Sequence, residues 1–269
     1  MADTSPRERK LWAGFATSRW PGAGFLLLLL ILWELSVRLG FVRSLTWPPF
    51  SEILVTWVRM LASGELLVPL GPSLLRMFTG YLIAAAAGIT LGLAIGYYRF
   101  AYNLMEPLIE LIRPIPSPAY IPIAILFLGI GDQMKIFVIS LAAFFPILLN
   151  TYGGVCAVDP VQVETGMTFG LSRGKIVRQI ILPAASPYIS TGMRVSLGIA
   201  LILMVISEMV AGSSGIGYFV LDAQRAFLVR EMYGGIITLA LLGYCLNRLF
   251  LFVERRLMAW HFESSGVQK

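Results

Sequence analysis

The residue types that usually carry out chemistry are scarce in this chain. It has one histidine, His261, and two cysteines, Cys156 and Cys245, which lie at or inside apolar segments. Metal sites and nucleophilic triads need clusters of such groups. No metal cluster, Ser–His–Asp set or phosphate-binding loop can be assembled from this sequence, which speaks against an enzyme. Without a pairing pattern, the two cysteines are interpreted as small apolar residues.

A few polar side chains stand inside or beside long apolar runs. Glu208 lies near one end of the run from Tyr188 to Val210, and Arg113 and Asn150 lie in two other runs. Ionisable groups in a membrane are costly and usually face a bundle interior or a water-filled cavity. These three residues are therefore candidates for lining a translocation path. An interfacial position is the alternative for Glu208, and pairing with Glu110 at the membrane surface is the alternative for Arg113.

The elements that must position these residues are membrane spans. Of the 269 residues, 57% are hydrophobic and 13% are charged, whereas about a quarter of the residues in a soluble domain are charged. A helix needs roughly 20 mainly apolar residues to cross a bilayer. The sequence offers about six such segments: Pro21–Leu39, Ser73–Tyr98, Pro107–Ile130, Ile136–Cys156, Tyr188–Val210 and Gly234–Val253. It predicts an all-α polytopic membrane protein with about six transmembrane helices.

The third segment is interrupted by Pro114, Pro116, Pro118 and Pro122. Alternating prolines forbid a regular helix from Pro114 to Pro118. Irregular backbone at membrane depth is tolerated only where protein or a water-filled cavity surrounds it. One hypothesis is a kinked helix that lines a cavity. The other is that the prolines only bend the entry of the helix at the surface.

The second segment carries small residues at every fourth position. These are Gly80, Ala84, Gly88, Gly92 and Gly96. The spacing places all of them on one stripe of a helix, and such stripes let helix backbones approach closely in lipid. We predict close packing against a neighbouring helix, with a glycine-lined pore as the alternative.

The distribution of basic residues predicts the orientation of the chain. The net charge is +6, and with six spans one side of the membrane holds eleven lysines and arginines, namely Arg7, Arg9, Lys10, Arg19, Arg99, Arg173, Lys175, Arg178, Arg255, Arg256 and Lys269. The other side holds five, namely Arg43, Arg59, Lys135, Arg225 and Arg230. The positive-inside rule then places both termini in the cytoplasm. Because this rule accounts for the excess of basic residues, no nucleic-acid partner is needed to explain the net charge. We expect cytoplasmic tails at residues 1–20, without a cleavable signal, and 256–269, around a transmembrane domain at residues 21–255.

One polar stretch, "VETGMTFGLSRGKIVRQIILP" at residues 163–183, interrupts the apolar sequence. Just before it, Asp159 is a good N-cap and is followed by a proline that suits the first helical position. A helix is predicted to run to about Phe169, with Gly170 as its C-cap. A second short helix comes next and is predicted to end at Pro183. By itself this pattern fits an amphipathic loop on the inner leaflet.

The same stretch resembles the cytoplasmic loop of importer-type ABC permeases. That family pattern is E-A-A, three residues, G, nine residues, I, any residue, L-P. Glu164, Gly170, Ile180 and Leu182-Pro183 stand at this spacing, and Thr165-Gly166 replace the two alanines. Over roughly residues 50–260 the chain is similar to the nitrate/sulfonate/taurine branch, as in "RPIPSPAYIPIAILFLGIGDQMKIFVISLAAFFPILLNTYGGV", "SEMVAGSSGIGYFV" and "ERRLMAWH".

The resemblance implies a type I ABC importer-like permease subunit in the inner (plasma) membrane of a bacterium. Such subunits act in pairs, so a second copy is expected. A coupling helix, in the loop at about 157–186, would rest on a cytoplasmic ABC ATPase subunit, which binds ATP and Mg while this chain binds no cofactor. The implied contact residues are Glu164, Thr165, Gly166, Met167, Phe169, Gly170, Leu171, Ser172 and Arg173. A periplasmic or lipid-anchored binding protein would deliver a small anion of the sulfonate, taurine or nitrate type.

Two other classes of protein remain as alternatives. An ion-coupled secondary transporter would predict buried acids and inverted repeats, and the sequence offers no convincing repeat and few central carboxylates. An integral-membrane enzyme lacks a plausible set of catalytic residues.

Overall fold

The computed structural model describes residues 20–42 and 44–258. His261 and the expectations for residues 1–19 and 259–269 lie outside the described residues. The first helices are α1 (Trp20–Arg38), α2 (Phe50–Ser63), α3 (Leu67–Tyr97), α4 (Arg99–Ile112), α5 (Tyr120–Leu128) and α6 (Asp132–Cys156). After them come α7 (Pro160–Thr168), α8 (Arg173–Ile176), α9 (Leu182–Ala211), α10 (Ile216–Arg225) and α11 (Val229–Leu257).

Among the described residues, five helices are long and apolar enough to cross a membrane. They are Pro21–Arg38, α3, α6, the continuous helix Arg173–Ala211 and α11, and a sixth span results if the bent pair Arg99–Ile112 and Ser117–Leu128 counts as one. The all-α fold with about six spans is thereby confirmed. The two ends of the bundle are named after short helices: the α7 end carries α7, and the opposite α10 end carries α2 and α10.

The small residues of α3 pack directly on α6. A Cβ atom added at Gly88 would lie 2.9 Å from Ile147 Cγ2, and one added at Gly92 would lie 2.6 Å from Thr151 Cβ. Close packing is therefore confirmed for this stripe. On its other side α6 meets α9 just as closely, because a Cβ at Gly192 would lie 2.7 Å from Asn150 Cβ. The centre of the chain is thus a three-helix layer with α6 in the middle.

The third predicted span is broken, as its prolines predicted. The helix α4 and the segment Ser117–Leu128 meet at an angle of 84°. The hydroxyl of Tyr120 bridges the break by donating to the carbonyl of Ile112, at 3.1 Å. No residue of α4 is buried, so the break lies at the surface of the single chain. The hypothesis of a kink that lines a cavity and the hypothesis of a bend at the membrane surface both stay predictions.

The prediction that Pro183 ends a helix is wrong. The chain is helical without interruption from Arg173 to Ala211, through a π-helical turn at Val177–Ile181 in which the amide of Leu182 donates to the carbonyl of Val177. A proline inside a helix lacks an N–H and crowds the preceding turn. The wider π turn immediately before Pro183 changes the hydrogen-bond register there, and the helix continues.

At the α10 end, α1 and α2 are joined by aromatic and polar contacts. The indole of Trp33 stacks on Trp47 with a centroid distance of 4.5 Å. The backbone amide and the hydroxyl of Ser51 donate to the Glu34 carboxylate at 3.1 and 2.8 Å. Farther along α2, Trp57 Nε1 donates to Thr238 Oγ1 of α11 at 3.0 Å. The helix α2 thereby links α1 to the rest of the bundle.

The turn between α10 and α11 contains a residue in an unusual conformation. Phe227 has a φ of +56°, and it stands where helix-ending turns usually carry glycine. The amide of Phe227 donates to Gln224 O at 3.1 Å and that of Leu228 donates to Ala223 O at 2.9 Å, the two hydrogen bonds of a Schellman turn. For a residue with a Cβ, this left-handed conformation costs roughly 1–2 kcal/mol.

Candidate functional site

The predicted coupling segment forms a capped helix followed by a sharp turn. Asp159 Oδ1 accepts the amide of Val161 at 2.9 Å, which confirms the predicted N-cap. At the other end, Gly170 has a φ of +71°, with hydrogen bonds from Gly170 N to Met167 O at 2.9 Å and from Leu171 N to Gly166 O at 3.0 Å. This Schellman turn reverses the chain between α7 and α8, as the glycine predicted.

The two residues that depart from the family pattern, Thr165 and Gly166, lie in different environments. Gly166 is buried against the π turn, and a Cβ added to it would lie 2.6 Å from Ile180 Cδ1. An alanine at this position would force the end of the Ile180 side chain to move. Thr165 Oγ1 donates to the carbonyl of Val161 at 2.6 Å, so its hydroxyl is satisfied within α7. The helix α7 therefore lies close to the π turn.

Most of the predicted ATPase-contact residues point away from the chain. Gly166 is buried and Leu171 is half-buried, whereas the other seven are exposed, namely Glu164, Thr165, Met167, Phe169, Gly170, Ser172 and Arg173. The phenyl ring of Phe169 is 80% exposed at the turn. Aromatic residues and arginine are enriched at protein interfaces. The α7 end thus presents a surface with the composition of a docking site.

The three path candidates occupy separate environments. Arg113 is exposed beside the break in the third span, and its guanidinium lies 3.9 Å from the Glu110 carboxylate. Asn150 donates to the carbonyl of Pro146 at 2.8 Å within α6. Glu208 is fully buried near the α10 end. Among the described residues, no hydrogen bond or ion pair joins any two of them.

Glu208 belongs to a buried ionic network whose main partner was missed from the sequence. Its carboxylate lies 2.8 Å from Arg76 Nη1 and 2.8 Å from Ser73 Oγ. It also accepts the amide of Gly217 at 3.0 Å, while Ser73 Oγ accepts the amide of Ile216 at 2.9 Å. Two free N–H groups at the start of α10 are satisfied in this way. The sequence did contain a signal for this partner, because Arg76 is an ionisable residue inside the apolar segment Ser73–Tyr98.

Arg76 connects this carboxylate to two further elements. Its Nε lies 2.7 Å from Asp132 Oδ1 at the start of α6. Its Nη1 donates to Ser214 O at 3.1 Å and its Nη2 donates to Ser214 Oγ at 2.8 Å in the glycine-rich loop. Lys135, buried in the same region, lies 3.9 Å from Asp132. One guanidinium therefore ties α3, α6, α9 and the loop before α10 together.

The described residues thus form two distinct sites, the exposed turn at Gly170 and the buried ionic network around Arg76. Among the described residues, no three His, Cys, Asp or Glu side chains are placed to hold a metal ion. The α7 end offers an exposed turn for a partner. The far end of the helix that begins after this turn is held by the ionic network.

Residues 86–259 match the family described as the inner membrane component of binding-protein-dependent transport systems. The chain belongs to this family. It is a multi-pass membrane permease of the ABC importer type, a class of protein that works with an ATPase and a binding protein.

Individual relatives agree with the branch that the sequence indicated. The taurine transport system permease protein TauC of Escherichia coli (strain K12) is 31% identical over 257 residues, which cover 91% of this chain and 94% of TauC. The nitrate import permease protein NrtB of Synechocystis sp. is 36% identical over 182 residues, which cover 68% of this chain and 66% of NrtB. These relatives are transport permeases and not enzymes. The assignment to the nitrate/sulfonate/taurine branch is confirmed.

A solved structure shares the fold. A chain of the MetNI methionine ABC transporter, in an inward-facing conformation, aligns with a TM-score of 0.57 over 69% of this chain and 91% of that chain, at 20% identity. At this level of identity the similarity concerns the fold alone, which it supports as type I ABC importer-like.

Proposed function

We propose that this permease subunit forms the translocation path for a small anion and is driven through its α7–α8 turn. The observation that carries the proposal is the exposed, glycine-hinged turn around Phe169 and Gly170, at the start of a helix that crosses the whole bundle. The seven exposed residues of the predicted contact set, on α7, in the turn and at the start of α8, would contact a cytoplasmic ABC ATPase subunit, which would bind ATP and Mg. A binding protein, periplasmic or lipid-anchored, would deliver the solute at the α10 end.

The assembly and orientation belong to the same proposal. The α7 end and both termini face the cytoplasm, in agreement with the excess of basic residues on that side. The membrane is the inner membrane of a bacterium, and the transport path lies between two copies of this chain. The coupling loop at about 157–186 lies within the transmembrane domain at 21–255, between the two tails.

The solute is proposed to be a sulfonate, taurine or nitrate. Taurine carries a sulfonate group, so the names of TauC and NrtB indicate two kinds of anionic group, sulfonate and nitrate. Of the three path candidates, the exposed Arg113 carries the positive charge that an anion would meet. Glu208 and Asn150 also remain candidates, although their polar groups have partners within the chain.

The test is to replace Gly170 with valine in the complete transporter, reconstituted with its ATPase and binding protein. A β-branched residue is strained at a φ of +71°, so we expect the turn to be displaced from the ATPase. Uptake of radiolabelled taurine, sulfonate or nitrate should fall at least ten-fold, which corresponds to about 1.4 kcal/mol. Uptake and ATP hydrolysis are measured in the same proteoliposomes.

Gly64 provides a matched control at the α10 end. It has a φ of +82°, and like Gly170 it has open space around a Cβ, so Gly64→Val imposes similar strain without touching the ATPase surface. Uptake should persist in this variant. Normal uptake by Gly170→Val would refute the role of the turn. If the tagged wild-type chain retains no ATPase, and uptake continues without ATP on an ion gradient, the importer assignment itself fails.

A further inference from the structure

Phe227 combines backbone strain with an exposed aromatic ring. Its left-handed φ of +56° is a conformation that persists only where something over-determines it. The Schellman hydrogen bonds of the turn fix the backbone, but a glycine would make the same two bonds without strain. The phenyl ring is 83% exposed, so contacts within the chain do little to offset the strain.

The ring stands at the edge of an open depression of about 570 Å³. One wall is the segment from Phe227 to Glu231, and the other is the loop from Ser44 to Pro49. Leu45 on the second wall is 95% exposed. The depression is therefore flanked by two apolar side chains that protrude from the α10 end.

Charged groups line the same depression. Glu52 and Arg230 form an ion pair at 2.7 Å, with about half of each side chain exposed, and they lie in its lining together with Glu231. Arg59 and Arg230 line a second depression directly beside Glu52. A lipid chain would strip water from these charges at a high cost, whereas a protein surface with charges of both signs could pair with Arg59 and Glu231 beside the Glu52–Arg230 ion pair.

We propose that Phe227 and this depression form the docking surface for the solute-binding protein. The inference rests on the proposed function, because the α10 end faces the binding protein only if the α7 end faces the ATPase. The partner would insert an apolar side chain between Phe227 and Leu45, one of its carboxylates would approach Arg59, and one of its basic groups would approach Glu231. Aromatic residues, including phenylalanine, are enriched at protein interfaces.

The test titrates the wild-type complex in nanodiscs with its purified solute-binding protein while ATP hydrolysis is measured. For Phe227→Ala and Phe227→Gly, we expect the half-stimulating concentration of binding protein to rise about ten-fold or more. Phe227→Tyr keeps the ring and should stay within about two-fold of wild type. Phe100→Ala is the matched control, because Phe100 is equally exposed, at 80%, but lies on α4; it should leave the concentration unchanged.

The glycine variant separates docking from stability. Because glycine relieves the strain at a positive φ, the thermal midpoint of Phe227→Gly should equal or exceed that of wild type while docking weakens. If the glycine and alanine variants are half-stimulated at the wild-type concentration, the inference is wrong and the proposed function stands. If the binding protein does not stimulate the wild-type complex, the proposed function fails instead.

Discussion

Arg76 and Glu208 illustrate how a membrane protein keeps charges inside its core. Removing an ion pair from water costs several kcal/mol for each ion. This cost is offset only when the two charges lie close together and their remaining polar atoms are hydrogen-bonded. Here the carboxylate has three partners, Arg76, Ser73 and the amide of Gly217, all at 2.8 to 3.0 Å. Because each element that contributes a partner must be in place, the network fixes the relative positions of α3, α9 and α10.

At the residue scale, we predict that Glu208→Gln destabilises the protein far more than Asp132→Asn. The loss of the buried charge leaves Arg76 without its enclosed partner and should cost about 3 kcal/mol. The side chain of Asp132 is 62% exposed, so the loss of its charge should cost less than about 1 kcal/mol. Equilibrium unfolding in mixed micelles measures both values.

A double replacement tests the Arg76–Glu208 pair by removing both charges together. Arg76→Met combined with Glu208→Leu removes both charges, so it should lose less stability than the sum of the losses from the two single changes. Equal losses for Glu208→Gln and Asp132→Asn would contradict the prediction, since they would mean that burial does not set the strength of these contacts.

At the scale of elements, the glycine stripe of α3 determines how closely α3 and α6 can pack. Gly92 leaves so little space that a Cβ would lie 2.9 Å from the carbonyl oxygen of Leu148 as well as 2.6 Å from Thr151 Cβ. Backbone and a β-branched carbon cannot move aside as the end of a long side chain can. The two helices must therefore separate if the stripe is filled.

We predict that Gly92→Ala lowers stability by about 2 kcal/mol through this separation. Gly198 on α9 is the control, because it is also helical and has no atom within 4 Å of an added Cβ. Gly198→Ala should be neutral or stabilising by up to about 1 kcal/mol, since alanine favours helix. The thermal midpoints of both variants in nanodiscs give the comparison. A Gly92→Ala protein as stable as Gly198→Ala would show that the helices do not pack as described.

Local features of the elements could be predicted from the sequence, and contacts between distant residues could not. The cap at Asp159, the turn at Gly170 and the break at the prolines each depend on a few neighbouring residues. By contrast, Arg76 and Glu208 are 132 residues apart, and no local pattern pairs them. The end predicted at Pro183 failed for a different reason, because the π turn that accommodates this proline has no recognisable sequence pattern.

At the scale of the whole molecule, the proposed orientation predicts that the two ends are reached from opposite sides of the membrane. Gln162 on α7 and Gln224 on α10 are both exposed on short helices. In a background with Cys156→Ser and Cys245→Ser, Gln224→Cys should react with a membrane-impermeant maleimide in right-side-out vesicles. Gln162→Cys should react only in inverted vesicles, because the positive-inside rule places α7 in the cytoplasm.

The extent of labelling by gel shift measures this prediction. A single span, the helix from Arg173 to Ala211, separates the two positions along the chain. Labelling of both cysteines from the same side would therefore contradict the prediction, because it would mean that this helix does not cross the membrane. The matched Gln→Cys changes keep the reactivity of the two sites comparable.

The helix from Arg173 to Ala211 joins the two ends of the molecule as a single rod. Its 39 residues span about 58 Å at 1.5 Å per residue. Arg173 stands at one tip, beside the Gly170 turn, and Glu208 stands within a turn of the other. A displacement of the first tip along the helix axis would therefore be carried through the helix to the ionic network beside the second tip.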